Sequence, residues 1–129
     1  MIENLGSLDK TDKPWGYEVV WARSLEGNGY LAKIIFIKSG HRLSLQFHEE
    51  KEETILVQSG DLYLDIQEVS LGKDSLNLRS IKLQPGDVFH INPLDIHRFC
   101  AKDTDVTLVE VSTHKPLDVV RLEDDYGRE

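Results

Sequence analysis

Hydrophobic residues in this chain alternate with polar ones or occur in short β-branched runs, and Gly, Pro, Asn and Asp interrupt them at short intervals. Such a pattern is typical of an all-β sandwich or barrel and leaves little room for helix. It predicts ten strands, at Gly16–Ala22, Tyr30–Lys38, Leu43–His48, Thr54–Gln58, Leu62–Val69, Leu76–Leu83, Val88–Ile91, His97–Ala101, Thr107–Ser112 and Asp118–Leu122.

Turn residues separate these runs, as in Ser59-Gly60-Asp61 and Pro85-Gly86-Asp87, whose residues tolerate or preset turn geometry. The stretch from Gly72 to Asn77 is expected to be a surface hairpin. No segment repeats at a fixed period, and no Pro- or Ser-rich linker divides the chain. We therefore expect one domain of all-β class at 13–129, preceded by an N-terminal arm at 1–12.

Composition excludes several classes of protein. The chain has 129 residues and a net charge of −8, which argues against nucleic-acid binding, since that needs clustered basic residues. Cys100 is the only cysteine, so no internal disulfide forms. The first ten residues lack the features of a signal peptide, and the longest apolar run, Ile34 to Ile37, is too short to span a membrane. A cytoplasmic protein with no membrane partner is expected.

One group of polar residues stands out. Gln46 and His48 lie two residues apart in a predicted strand and therefore point to the same side, together with Ser44. Glu53 lies at the mouth of the next strand, and His97 opens a later one. Strand mouths can converge, so these side chains can meet inside the barrel.

Two imidazoles, one carboxylate and one carboxamide oxygen suit one divalent metal ion, with Zn favoured and Fe, Mn, Co or Ni as alternatives. Only one ligand would carry charge, so the ion would keep a net positive charge and act as a Lewis acid. Taken alone, the Gln-x-His pair is a weak signal of a metal site, and ordinary hydrogen bonding of His48 explains it better.

The spacing of Gly40, Gln46, His48, Glu53 and Gly60 resembles the first cupin motif, with Gln where many cupins have a first His. Pro85-Gly86-Asp87 followed by Asn92-Pro93-Leu94-Asp95-Ile96-His97 resembles the second motif, with Asn92 and Leu94 where Pro and Gly are common. The resemblance implies a cupin double-stranded β-helix, which is a jelly-roll barrel.

Longer segments resemble the cupin of type II mannose-6-phosphate isomerase, from Lys13 to Arg128. They are Lys13-Pro14-Trp15-Gly16-Tyr17-Glu18, Arg42-Leu43-Ser44-Leu45-Gln46-Phe47-His48, His97-Arg98-Phe99 and Val119-Val120-Arg121-Leu122-Glu123-Asp124-Asp125-Tyr126-Gly127-Arg128. In bacteria that cupin is the C-terminal part of an enzyme that also makes GDP-mannose. No nucleotidyltransferase domain precedes it here, so a standalone form is expected.

The resemblance implies that Gln46, His48, Glu53 and His97 bind the metal, because the family's ligands fall on identical residues. This chain differs from the family beside the site. Before Glu53 it has Glu49-Glu50 where the family has a His- and Arg-rich stretch, and after Glu53 it has Thr54-Ile55 where the family has a His and a Trp. Related cupins pair through outer strands, so a homodimer is expected.

The resemblance implies an aldose–ketose isomerase that acts through a cis-enediol on mannose-6-phosphate or a related sugar. Lys51, Arg98 and Arg42 are the candidate catalytic residues nearest to the ligands in sequence. Since neighbours alternate in a strand, Arg98 is expected to point away from His97.

Two other functions fit the residues. His48, Glu53 and His97 are also the two-His, one-carboxylate set of a non-haem Fe(II) dioxygenase. A metal-containing module that binds a sugar or regulates without catalysis is the third hypothesis, because one fold hosts many roles.

Overall fold

The computed structural model describes residues 1–68, 76–115 and 117–128. A 3-10 turn spans Leu5–Ser7, and no described helix is long and apolar enough to cross a membrane. The described strands are β1 Lys10–Lys13, β2 Gly16–Ser24, β3 Tyr30–Ile37, β4 Leu45–Phe47, β5 Glu53–Ser59, β6 Leu62–Gln67, β7 Arg79–Leu83, β8 Val88–Ile91, β9 Ile96–Ala101, β10 Val106–Ser112 and β11 Val120–Glu123.

These strands form two antiparallel sheets. The first has the order β1-β2-β3-β10-β5-β8, and the second has the order β11-β4-β9-β6-β7. Strands distant in sequence are therefore neighbours in space. Strand β10 lies between β3 and β5, while β9 lies between β4 and β6.

One hydrophobic core joins the two sheets. Alternate residues of β6 point into it, and Leu62, Leu64 and Ile66 are fully buried. Ile55 and Leu108 of the first sheet belong to the same cluster and are equally buried. Burial of each such side chain contributes about 1.5–3 kcal/mol, which is why alternation decides which face of each strand turns inward.

The all-β class predicted from the sequence is confirmed, and several boundaries differ. Strand β1 was not predicted and lies partly within the expected arm. Strand β4 covers three residues, Leu45–Phe47, where a longer strand was predicted. Residues 69–75 lie outside the described part of the chain, and they include the end of the strand predicted at Leu62–Val69 and most of the hairpin expected from Gly72 to Asn77.

The structure explains the second glycine of the first motif. Gly60 has φ +78°, and a Cβ at this position would lie 1.9 Å from the carbonyl oxygen of Asp105. Both the left-handed backbone and the close approach of another segment require glycine here. This turn joins β5, which begins with Glu53, to β6 in the other sheet.

Candidate metal centre

The predicted ligands come from both sheets. Gln46 lies in β4 and pairs directly with His97 of β9, and His48 follows the end of β4. Glu53 begins β5 in the opposite sheet. His48, Glu53 and His97 are all buried, with exposed fractions of 4%, 2% and 1%.

The side chains of His48, Glu53 and His97 converge. Nε2 of His97 lies 3.3 Å from Oε1 of Glu53, and Nε2 of His48 lies 3.9 Å from Oε2 of the same carboxylate. One candidate ligand atom from each residue lies within 4.8 Å of the others. Ligands bound at about 2.0–2.2 Å from one ion are separated from one another by up to roughly 4.4 Å, close to this spacing.

Hydrogen bonds orient both imidazoles. Nδ1 of His48 donates to the carbonyl oxygen of Asp118 at 2.5 Å, and Nδ1 of His97 donates to the carbonyl oxygen of Asp95 at 2.9 Å. A carbonyl oxygen only accepts, so each Nδ1 carries a proton. In the neutral ring the lone pair is then on Nε2, the atom that faces Glu53.

The same atoms are short of hydrogen bonds. In the described part of the chain, Nε2 of His48, Nε2 of His97 and both carboxylate oxygens of Glu53 are buried and make no hydrogen bond of acceptable geometry, although the Glu53 carboxylate has an ion-pair contact with Lys51. Buried polar atoms rarely stay unsatisfied. A divalent cation fits this set, because it would satisfy two imidazole lone pairs and a carboxylate together.

Gln46 lines the same cavity as His48. Its Oε1 accepts a hydrogen bond from the hydroxyl of Ser44 at 2.7 Å, which holds the carboxamide on the inner face of β4. An amide oxygen has two lone pairs, so Oε1 can accept this bond and still bind an ion. Its assignment as the fourth ligand stays a prediction.

Lys51 is buried beside the candidate ligands, with an exposed fraction of 7%. Its Nζ lies 3.1 Å from Oε2 of Glu53 and 3.4 Å from Oε2 of Glu110. Burial lowers the pKa of Lys51, but the charges of Glu110 and Glu53 outweigh burial and raise it overall. Lys51 is therefore a buried cation held between two carboxylates.

The two carboxylates have opposite pKa shifts. Burial and the nearby charge of Glu53 raise the pKa of Glu110 to about 7, although Lys51 acts in the other direction. Burial also acts to raise the pKa of Glu53, but its contacts with His97 and Lys51 hold that pKa well below its usual range. Glu53 is therefore the charged candidate ligand, and Glu110 is the more readily protonated group.

The two imidazoles also have opposite pKa shifts. Burial lowers the pKa of His48 despite the nearby charge of Glu53. Burial acts in the same direction on His97, but its closer contact with Glu53 outweighs that effect and raises the pKa of His97.

The guanidinium groups of Arg98 and Arg42 bind residues outside the set of candidate ligands. Arg98 follows His97 in β9 and points away from it, as alternation predicts; its guanidinium donates to the carbonyl oxygen of Leu43 at 2.9 Å and to Glu123 at 3.1 Å. Arg42 makes two hydrogen bonds to Asp125, at 2.6 and 2.8 Å. Both arginines tie the C-terminal segment to the second sheet, and their predicted catalytic roles stay predictions.

A cavity of about 150 Å³ opens beside the candidate ligands. Its charged lining residues are the cations Lys13, Lys33, Lys51, Lys115 and Arg121 and the acids Glu18, Glu110 and Asp118. Lys33 pairs with Glu18 at 3.2 Å. Within the described part of the chain, this lining carries more basic than acidic groups, although the whole protein is acidic.

Sequence analysis did not identify Glu110 or Asp118. The signal for Glu110 was present: in β10 it falls in the same phase as the buried residues Val106 and Leu108. A carboxylate at an inward position is rarely there without a partner. Asp118 left no such signal, because its contacts are with backbone atoms about 70 residues earlier in the chain.

No protein-family model and no curated protein matches this sequence. Solved structures do match. The capsular polysaccharide assembling protein CapF from Staphylococcus aureus superposes with a TM-score of 0.76 and 17% identity over 90% of this chain. KdgF from Halomonas sp. gives a TM-score of 0.67 and 18% identity over 83%, and an oxalate decarboxylase from Bacillus subtilis gives 0.73 and 12% over 95%. The chain has the cupin fold.

The chain covers different fractions of the lengths of these proteins. It covers 86% of KdgF but only 32% of CapF and 33% of oxalate decarboxylase, so it spans about a third of the length of the two larger proteins. Another structure of the Bacillus subtilis oxalate decarboxylase, with a TM-score of 0.73 and 17% identity over 92% of this chain and 31% of that one, has Mn(II) centres. At these identities the likeness establishes the fold.

Proposed function

We propose that this cupin is a metal-dependent aldose–ketose isomerase of the mannose-6-phosphate isomerase type, acting on a sugar phosphate or a related sugar. The observation that carries this proposal is the buried set of Nε2 and carboxylate atoms on His48, Glu53 and His97, which make no hydrogen bond to the described residues and lie beside the ammonium of Lys51 and a cavity. The sequence resemblance supplies the reaction type.

Gln46, His48, Glu53 and His97 would hold the ion. When bound, a divalent ion supplies a Lewis acid that polarises the sugar carbonyl and stabilises negative charge on the neighbouring oxygens. The residues contribute geometry, since both rings are fixed by carbonyl oxygens and the carboxylate by Lys51. Burial of His48, Glu53 and His97 limits their contact with bulk water, and the cavity provides the approach for a substrate.

Lys51 and Glu110 are positioned to move protons. Isomerisation transfers a proton between C2 and C1, which needs a group that can both accept and donate it. The Glu110 carboxylate lines the cavity and lies 3.4 Å from the ammonium of Lys51. We assign proton transfer to Glu110 and stabilisation of the developing negative charge to Lys51.

The charges of the cavity support an anionic sugar. Lys13, Lys33, Lys115 and Arg121 line it, so a phosphate would meet local cations in a protein whose net charge would otherwise repel it. Glu49 and Glu50, which depart from the family pattern, are exposed. Their side chains do not line the cavity.

The homodimer expected from the sequence stays a prediction. Its support is an apolar area on the outer face of the first sheet, where Leu56, Val88 and Val111 have exposed fractions of 38%, 60% and 48%. Leu56 and Val88 are directly paired across β5 and β8.

The test combines elemental analysis of the purified protein with a panel of sugar-phosphate isomerase assays that starts with mannose-6-phosphate and fructose-6-phosphate. We expect about one divalent ion per chain and turnover on at least one substrate. Bound metal without turnover on the panel would favour the binding module, whereas Fe(II)-dependent oxygen consumption that Zn abolishes would favour the dioxygenase.

Variants connect the activity to the site. Glu53→Gln and His97→Ala should each lose bound metal and activity together, because each removes a ligand. Lys51→Met should retain the metal and lose about 10²–10⁴-fold in kcat. Matched controls are Glu52→Gln and His90→Ala, the same residue types at exposed positions. Metal content unchanged in both Glu53→Gln and His97→Ala would contradict the assigned site.

A further inference from the structure

The carboxylate of Asp118 binds three successive backbone amides of the loop between β4 and β5. Oδ1 accepts from the N–H of Glu49 at 2.9 Å, and Oδ2 accepts from the N–H groups of Glu50 at 2.7 Å and Lys51 at 2.8 Å. This loop connects His48 to Glu53, so it sets the spacing between two candidate ligands. Asp118 therefore fixes the backbone from which they project.

The same residue also orients a ligand ring. The carbonyl oxygen of Asp118 accepts the Nδ1 proton of His48. Its two functional groups thus act on the site in different ways: the carboxylate shapes the loop, and the carbonyl sets the tautomer and direction of the ring.

Asp95 repeats this arrangement at the other imidazole. Its carbonyl oxygen accepts the Nδ1 proton of His97, and its carboxylate accepts the backbone N–H of Asn92 at 2.9 Å. Both imidazoles are therefore oriented by aspartates that also brace a nearby turn. The recurrence at two separate places indicates an arrangement that serves the ligands as well as local folding.

We propose that Asp118 is a positioning residue for the metal centre, which holds His48 and the loop to Glu53 in the geometry that binds the ion. The inference rests on the metal centre of the proposed function. Outer partners of metal ligands commonly change affinity by about 10–100-fold. Asp118 touches neither the sugar nor the ion in this proposal and acts through His48 and the loop.

The experiment compares Asp118→Asn with the unsubstituted protein by calorimetric titration with Zn²⁺ after chelation. Asparagine has one acceptor oxygen and would turn its amide donors toward backbone N–H groups. We expect affinity to fall about 10–100-fold. The matched control is Asp105→Asn, because the Asp105 carboxylate also binds a distant backbone amide, that of Ser39 at 2.9 Å, away from the ligands. The control should stay within twofold.

A spectroscopic readout separates positioning from a general loss of stability. In metal-free protein with ¹⁵N-labelled histidine, Asp118→Asn should shift the ring nitrogen signals of His48 and leave those of His97 in place. An affinity within twofold of the unsubstituted protein overturns the proposal. So does a His48 ring that carries its proton on Nε2 in the unsubstituted protein, a result that does not depend on the folding of any variant.

Failure of the proposed function and failure of the inference about Asp118 are distinguishable. A protein that binds Zn²⁺ but shows no isomerase activity removes the proposed reaction and leaves the role of Asp118 open to the same titration. A protein that binds no divalent ion removes the metal centre and this inference with it.

Discussion

Leu94 has the unusual backbone of a left-handed residue, with φ +72°, and is the one non-glycine residue with positive φ in the described ranges. It lies in the turn before β9, and its N–H donates to the carbonyl oxygen of His48 at 2.7 Å. The turn that precedes one candidate ligand is thus bonded to the backbone of another. The strained backbone of Leu94 is therefore held by its hydrogen bond to His48.

Leu94→Gly should relieve that strain. The left-handed backbone of a leucine destabilises the folded state by about 1–2 kcal/mol. Glycine removes this strain but lowers the free energy of unfolding by about 0.5–1 kcal/mol, because the unfolded chain gains conformational freedom. Leu94 is 38% exposed, so the variant also loses partial burial of the side chain, and the relief of strain and the two losses should nearly cancel in the free energy of unfolding measured by chemical denaturation. Leu117→Gly is the control, because Leu117 is 93% exposed and has no positive φ; it should lower stability. Equal losses in both variants would refute the strain.

At the scale of single residues, alternation predicted much of the site. It placed Gln46 and His48 on one side, and both line the cavity; it also turned Arg98 away from His97, toward Leu43 and Glu123. It could not show that Arg42 meets Asp125, or that Asp118 reaches the loop after His48. Those contacts join segments far apart in sequence, and no local pattern records them.

At the scale of elements, prediction succeeded where burial shapes the sequence and failed where it does not. Strand β6 was recognised because Leu62, Leu64 and Ile66 alternate with less buried residues. Strand β1 has the polar sequence Lys-Thr-Asp-Lys and lies at the edge of its sheet, where β2 is its one partner among the described strands. Its hydrogen bonds hold it in place, so hydrophobic periodicity carried no sign of it.

The segment after β11 is fixed by side chains as well. Asp124 accepts from the backbone N–H of Arg128 at 2.7 Å and pairs with its guanidinium at 2.9 and 3.0 Å. The hydrogen bond from Arg128 lowers the pKa of Asp124 from 3.8 to about 2. A carboxyl group whose pKa falls on folding stabilises the protein above its unfolded pKa and loses that contribution as pH falls through the folded pKa.

Asp124→Asn should therefore destabilise the protein in a pH-dependent way. The difference in free energy of unfolding from the parent, of about 0.2–1 kcal/mol, should be complete above about pH 4 and should shrink as pH falls toward 2. Denaturation of both proteins across this range measures it. A difference that stays constant from pH 6 to pH 2 would contradict the pairing.

At the scale of the whole molecule, the candidate ligands bridge the two sheets. Glu53 belongs to β5 in the first sheet, while Gln46 and His97 belong to β4 and β9 in the second. An ion bound by all of them would connect the sheets at one end of the barrel. Metal binding should then stabilise the entire fold.

Chelation should lower the melting temperature. Metal at 100 times its dissociation constant stabilises a folded protein by about 2.7 kcal/mol, which for a domain of this size corresponds to roughly 10 °C. Scanning calorimetry with EDTA and with added Zn²⁺ measures the shift. Glu53→Gln should show no shift, and an equal shift in this variant would mean that the ion binds elsewhere.

The hydrogen bonds between Asp118 and the loop after His48 also bear on the order in which the metal centre forms during folding. The N–H of Lys51 and the carboxylate that binds it are separated by 67 positions, and His97 is supplied between them. A growing chain that has produced residues 46–53 therefore has three of the candidate ligands, but it lacks the second imidazole and the residue that we propose sets their spacing. If the metal centre forms as proposed, tight metal binding should therefore be a late event in folding.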